Sequence, residues 1–422
     1  MAASAGAVLW RDRNFVNFLG VQTLSSVGDS FSFVAIPLLI LHTTGSVVQM
    51  GVVTALSGAS GLISGVFAGV VVDRFDRRRL LQACDLARFV LLGAVPVIWA
   101  IHPLVWSLYV LLPAVSAFSM IFQVAYTTVV PSLVDEDQIT AANARLYGSY
   151  SIAYLVGPAL AGLISSRFGP SIAIAVDAVT FLCSAAGVFF VRVRRPAERD
   201  AAADAAGVQD DFLSGVRFLW RQPVLRSLTV LLAALTFVEV GLNDVVIFRL
   251  GHEMRQSDAA VGAVMSVGIV GTLLASISVS ALNKRLGFGP TWVGGWILCG
   301  VAVAAIGVAG AVPLVAVLAA AATLGTGVGG ISSMSLRQEI TPSHLLGRVT
   351  AAFWTLHSAL GPLGAAVLTR AASTVGVAAT LLVAGLVCVV VALAATATPV
   401  WRMRRDRRGG VHADPADETV TG

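Results

Sequence analysis

Residues 47–101 read VVQMGVVTALSGASGLISGVFAGVVVDRFDRRRLLQACDLARFVLLGAVPVIWAI. Two apolar runs, 47–71 and 80–101, flank a short link that gathers Asp73, Arg74, Asp76, Arg77, Arg78 and Arg79. Roughly 20 consecutive apolar residues is the length that crosses bilayer hydrocarbon as a helix, so this stretch predicts a helical hairpin with its cationic turn in water. Runs of the same kind recur at 14–41, 104–130, 143–166, 170–191, 224–250, 259–282, 290–309, 312–336, 348–369 and 374–399, making twelve in all. With 57% hydrophobic and 12% charged residues, the 422-residue chain has no room for a large soluble domain. Continuous apolar runs, rather than short segments of alternating polarity, exclude a transmembrane barrel. The predicted fold class is all-α integral membrane: twelve transmembrane helices in two six-helix halves.

The halves fall at 14–191 and 224–399, with a cytoplasmic N-terminus at 1–13, a cytoplasmic central loop at 192–223 and a disordered cytoplasmic tail at 400–422. The central stretch around 196–211 is too rich in Ala, Asp and Arg to bury a core, and the tail combines Gly409, Gly410 and Pro415 with several acids. The first run continues without a clear cleavage site, so it reads as a retained helix rather than a signal peptide. With both termini inside, 23 of the 28 Lys and Arg residues are cytoplasmic, 4 are outside and Arg88 is in the membrane. That asymmetry sets the orientation and accounts for the net charge of +5, so no nucleic-acid partner is expected. The setting is a multi-pass protein of the plasma membrane, acting as a monomer.

Several chemistries are excluded. The single lysine, Lys284, follows Asn283, so the chain has no phosphate-binding loop ending in Gly-Lys. His252-Glu253 is followed by Gln256 where a zinc protease needs a second histidine. Cys84, Cys183, Cys299 and Cys388 sit singly in apolar runs and read as packing residues. No enzyme activity, metal or cofactor is expected.

The halves are weakly repetitive. Phe31 to Leu41, followed by Val48 to Gly51, matches Leu242 to Leu250, followed by Ala259 to Gly262; Gly157-Pro158 recurs as Gly361-Pro362. Related six-helix halves are a signature of secondary transporters, whose sites lie near the midplane.

In the charged link after the second run, Gly69 lets another helix approach, Asp73 suits a neighbouring helix N-terminus, and the arginines can bridge acids across the half interface. A plain topology loop accounts for the arginines but not for Gly69, Asp73 and Asp76. The pattern Gly69 to Leu80 resembles the G-x-x-x-D-R-x-G-R-R loop of the major facilitator superfamily, with Asp76 where that family usually has glycine. The resemblance continues through Val130 to Val134, Ala142 to Ala144, Gly157-Pro158, Asp177 to Phe181, Ser335 to Gln338 and Gly347-Arg348-Val349. It points to the branch of macrolide-efflux proteins and the enterobactin exporter, over about residues 10 to 400. It implies a cytoplasmic gate formed by Gly69, Asp73, Arg74, Asp76, Arg77, Arg78 and Arg348. Gly148, Gly157, Pro158 and Gly162 are similar to the family's antiporter motif in the fifth helix, which implies a hinge against leakage.

The remaining candidates come from the spans themselves. Gln22, Ser25, Asp29 and Ser32 share one face of the first helix, with Asp29 near its middle. A charge there costs on the order of 3 kcal/mol, so the stripe is expected to line a cavity, and Asp29 to carry a proton or meet a cation. Glu239 and Asn243 are spaced to share a face of the seventh helix, with Asp244 adjacent, and the repeat places Glu239 level with Asp29. Asp85 and Arg88 read as an ion pair organising the gate, Asp177 as structural, Gln123 and Tyr126 as cavity contacts, and His357 as a satisfied interior histidine. Together these imply proton-coupled export of a small amphipathic molecule, the partners being substrate, protons and bilayer. An importer or uniporter of the same fold, or a non-transporting scaffold or receptor, stays open.

Overall fold

The computed structural model describes residues 9–10, 12–135, 138–191, 208–342, 345–401, 403–405 and 411–412. Residues 1–8, Arg11, most of the expected central loop (192–207) and most of the tail (406–410 and 413–422) lie outside the described residues, as does the side chain of Asp73.

Twelve helical spans are long and apolar enough to cross a membrane. The first six are single helices: α1 (Arg13–Thr44), α2 (Val47–Arg74), α3 (Arg77–Ile101), α4 (Val105–Leu133), α5 (Ile139–Phe168) and α6 (Pro170–Phe189). An additional helix, α7 (Val208–Arg221), occupies the stretch expected to be linker. The seventh span is interrupted: α8 (Pro223–Glu239) and α9 (Leu242–Phe248) are followed by a π-turn at Arg249–Glu253. Then come α10 (Asp258–Leu286), α11 (Phe288–Val308) and α12 (Val312–Ile340); the eleventh span divides into α13 (Leu346–Ser358) and α14 (Gly361–Val375), and α15 (Val377–Ala394) ends the set. In the tail, Arg404–Arg405 pairs antiparallel with Val411–His412.

Local chemistry sets the helix ends. The Asp12 carboxylate caps α1 by accepting from the Asn14 and Phe15 amides at 2.8 and 3.4 Å, and Gly45 closes it in the left-handed conformation at φ 62°. Ser46 caps α2 through the Gln49 amide. The turn that starts α6 at Gly169 (φ 88°) recurs before α15 at Gly376 (φ 91°), a structural echo of the sequence repeat. Outward-facing side chains such as Ile63, Val66 and Phe67 on α2, and Leu382, Val383 and Leu386 on α15, are exposed, which lipid and not water accommodates.

Two compact units form: Met1–Arg199 with Ile247–Ser266, and Asp200–Val246 with Val267–Gly422. In the first, α1 packs on α5 and α6, α2 on α4, and α3 on α4 and α6. In the second, α11 packs on α12 and α15, α8 on α13, α14 and α15, and α7 on α13. The units differ from the sequence halves in one stretch, 247–266, which joins the first unit. The reason is a glycine crossing: a Cβ on Gly162 of α5 would meet the Asp258 carbonyl and, at 2.9 Å, the Gly262 Cα, and one on Gly262 would meet the Pro158 carbonyl. Only glycine permits backbones this close. The Ser266 hydroxyl accepts from the Ala159 amide at 2.9 Å, and His42 pairs with Asp258 at 3.0 Å.

The interruption at Val240–Gly241 also has a packing cause. Gly241 lies against α14, where a Cβ would come within 3.0 Å of the Ala365 Cα, and Gly361 and Gly364 of α14 press in return on Val240 and Phe237. The four-residue spacing of Glu239 and Asn243 therefore spans this turn, with Val240 itself in helical conformation at φ -61° and ψ -37°.

Candidate functional site

The first unit encloses a cavity of about 730 Å³ beside the middle of α1. Its floor is α1, where Gln22, Ser25 and Asp29 point inward as the stripe requires. From α4 come Ser119, Phe122, Gln123, Tyr126, Thr127 and Val130, and from α5 Asn143, Leu146, Tyr147, Ser149, Tyr150 and Tyr154. Aromatic contacts stiffen this wall: Tyr126 stacks with Phe18 at 5.7 Å between ring centroids, and Tyr150 meets Tyr154 in a tilted contact at 4.5 Å. Gln123 and Tyr126 thus take the positions expected of them. The α5 tyrosines and Arg88 are additions to the expected set, although 143, 146, 147, 150 and 154 recur at the spacing of one helix face.

Ser32 departs from the stripe. It does not line the cavity; its hydroxyl donates to Asp177 of α6, which also accepts from the Thr180 hydroxyl at 3.4 Å. Asp177 is 1% exposed, and its carboxylate and Thr180 close over Gly28, where a Cβ has no room. Spacing places Ser32 on the right side of α1, but a buried carboxylate on the neighbouring helix captures it.

Behind the cavity, Arg88 donates to Asp85 one turn earlier on α3, as the i, i+3 spacing predicts. Asp85 is fully buried and Arg88 3% exposed. The guanidinium is held between the rings of Phe122 and Phe181, at 4.2 and 4.1 Å from their centroids. Besides pairing with Asp85, it lines the same cavity as Asp29.

Arg77 donates to the Thr128 carbonyl of α4 at 3.3 Å, and Arg78 to the Val188 carbonyl at 3.2 Å and to that of Phe189, over whose ring it also lies. Helix ends leave carbonyls without intrahelical partners; Arg78 satisfies two of these at the end of α6, whereas the carbonyl that Arg77 reaches lies more than a turn before the end of α4. Asp76 caps α3 by accepting from the Arg79 amide at 2.9 Å, the N-terminal role anticipated for Asp73. Arg74 is exposed. An added Cβ at Gly69 meets nothing within 4 Å among the described residues, so the close helix approach expected there is not made in this conformation. If a latch forms at Gly69 in another stage of the cycle, Gly69→Val will reach the membrane at wild-type abundance yet transport markedly less; wild-type transport removes the latch.

In the fifth span, Gly157 and Gly162 mark tight crossings, the first against Ser30 of α1 and the second against α10, with Pro158 between them. Gly148 faces open space. In the second unit, Glu239 ends α8, Asn243 is half-buried and Asp244 is buried. The carbonyl of Arg348 lies against Gly215 of α7. His357 stacks on Phe353 and hydrogen-bonds with Ser358 at 3.2 Å.

A helical membrane protein of twelve spans, with a polar and aromatic cavity set around one mid-span carboxylate, is built as a transporter. The chain belongs to the major facilitator superfamily, whose model matches residues 18–365. It is 26% identical over 386 residues to the multidrug efflux pump Tap of Mycolicibacterium fortuitum, covering 90% of this chain and 94% of that one. It is also 26% identical to the macrolide efflux protein A of Streptococcus pyogenes, over 56% of this chain and 58% of the relative. Among solved structures, the nucleoside transporter NupG shares the fold, with a TM-score of 0.75 at 12% identity, over 91% of this chain and 98% of the other.

Proposed function

We propose that this transporter exports a small amphipathic molecule from the cytoplasm in exchange for protons, at the plasma membrane and with both termini inside. The observation that carries the reading is Asp29: a carboxylate in the middle of a spanning helix, opening into a cavity walled by tyrosines, hydroxyls and amides. Keeping it charged there is costly, so a proton or a cationic substrate competes for the position. Relatives named as efflux pumps support the outward direction. Inward proton movement supplies ~2.3 kcal/mol per 100 mV and ~1.4 kcal/mol per pH unit. Together that sustains a several-hundred-fold substrate gradient per proton.

The test is accumulation of ethidium, an amphipathic cation, and of erythromycin in everted membrane vesicles with and without an imposed pH gradient. Gradient-dependent accumulation is expected; equal uptake in both conditions means facilitated diffusion. Glu239, at the break after α8, is proposed as a second charge-reading carboxylate. Glu239→Gln is then expected to weaken ethidium binding by a factor that grows with pH, while a neutral ligand of similar size is little affected. Equal losses for both ligands assign Glu239 to structure.

A further inference from the structure

The first unit contains three buried or half-buried carboxylates around one guanidinium. Asp177 is provided for by two hydroxyl donors. Asp85 holds Arg88. Asp29 has neither: it lies in the electrostatic reach of Arg88, lines the same cavity, and has no ion-pair partner among the described residues. The Arg88 Nε is buried and makes no hydrogen bond, so the guanidinium is incompletely used where it stands. Its plane is fixed by the two phenyl rings, which leaves its charge between Asp85 on one side and the cavity on the other.

We infer that Asp85 is a positioning residue that keeps Arg88 from neutralising Asp29, so that Asp29 stays available to a proton or a cationic substrate. A lone Arg88 in this cavity would supply Asp29 with a permanent counter-ion, and a carboxylate so paired exchanges its proton poorly. With Asp85 one turn away on the same helix, the pair is neutral, and of the two carboxylates left over Asp29 is the one that lines the cavity. The other titratable groups facing this cluster are Cys84 on α3, Tyr126 on α4, Tyr147, Tyr150 and Tyr154 on α5, and Asp177 on α6. Thiols and phenols are uncharged near neutral pH, and Asp177 accepts from Ser32 and Thr180 and makes no ion pair with Arg88 among the described residues, so none of them substitutes for Asp85. The inference rests on the proton coupling proposed above.

The experiment compares wild type, Asp85→Asn, Asp85→Glu, Asp85→Asn/Arg88→Gln and Asp29→Asn in everted vesicles, reading pH-gradient-driven ethidium accumulation per molecule of membrane-inserted protein across a range of pH. Asp85→Asn frees Arg88 for Asp29 and is expected to lose activity by roughly tenfold or more, the effect of a new opposite charge beside an exchanging carboxylate, with its pH profile displaced toward acid. Asp85→Glu keeps the charge and the profile. Removing Arg88 as well, in the double variant, returns the pH profile to its wild-type position, whatever rate the altered cavity wall allows. A merely structural pair leaves the profile of the double variant no nearer wild type than that of Asp85→Asn, and that result overturns the inference, as does a wild-type profile for Asp85→Asn. Asp29→Asn separates the two levels of the argument: if it still couples to the gradient, the coupling role of Asp29 is what has failed.

Discussion

Replacing Asp29 with asparagine is expected to abolish gradient-driven efflux while leaving the protein folded and inserted. The substitution keeps the size of the side chain, and among the described residues no ion pair that holds α1 in place depends on its charge. The α1 contacts that do fix the helix are made elsewhere: Asn17 donates to the Gly187 carbonyl at 2.9 Å, Gln22 to the Ser184 hydroxyl at 3.4 Å, and Ser32 to Asp177. Removing an uncompensated charge from a spanning segment relieves rather than adds cost, on the order of 3 kcal/mol at the centre of a helix. Stability should therefore hold or rise while coupled transport disappears. The comparison is Asp177→Asn, which disturbs the carboxylate that anchors Ser32 and closes over Gly28; its losses should appear in abundance and thermal stability. The measurement is vesicle uptake alongside the melting temperature of the purified protein. Reduced stability with intact coupling in Asp29→Asn reverses the assignment of the two residues.

The second large effect is expected at Gly162. Alanine there places a methyl group into the Asp258 carbonyl and the Gly262 backbone, and neither can retreat as a flexible side chain would. Overpacking of this kind costs typically ~1–3 kcal/mol, and it falls on the contact that joins 247–266 to the first unit. Gly148→Ala, the same chemical change on the same helix, meets open space and is expected to be neutral or stabilising by up to ~1 kcal/mol, because alanine is the better helix former. Melting temperatures of the two variants in detergent check this directly. Equal behaviour means that small residues in α5 reflect composition and not a crossing.

Asp29 is legible in the sequence, whereas the crossing at Gly162 belongs to the packing of helices far apart in the chain. The twelve spans are legible because each is announced by some twenty apolar residues in succession, a signal that no neighbouring segment can cancel. Gln22, Ser25 and Asp29 are legible for the related reason that polar residues at helical spacing in an apolar run must find a wet face. The third dimension is not. Ser32 obeys the same spacing, yet Asp177 from α6 takes its hydroxyl. Arg77 and Arg78 announce their charge, but not the backbone carbonyls of α4 and α6 to which they donate. The interruption after Glu239 follows from glycines in α14, more than a hundred residues further along the chain. The tyrosines of α5 are legible in principle: their spacing marks one face, but tyrosine in a spanning run passes for apolar filling until the cavity beside it is known.

Proton exchange is the central claim, and the most direct measurement follows protons rather than drug. Purified protein reconstituted into liposomes that trap a pH-sensitive dye is given ethidium on one side, with the membrane potential clamped. Ethidium is expected to move only as protons move the other way, with the dye signal scaling with ethidium flux and vanishing in Asp29→Asn. Ethidium crossing at the wild-type rate without any matching change in the dye would contradict proton coupling.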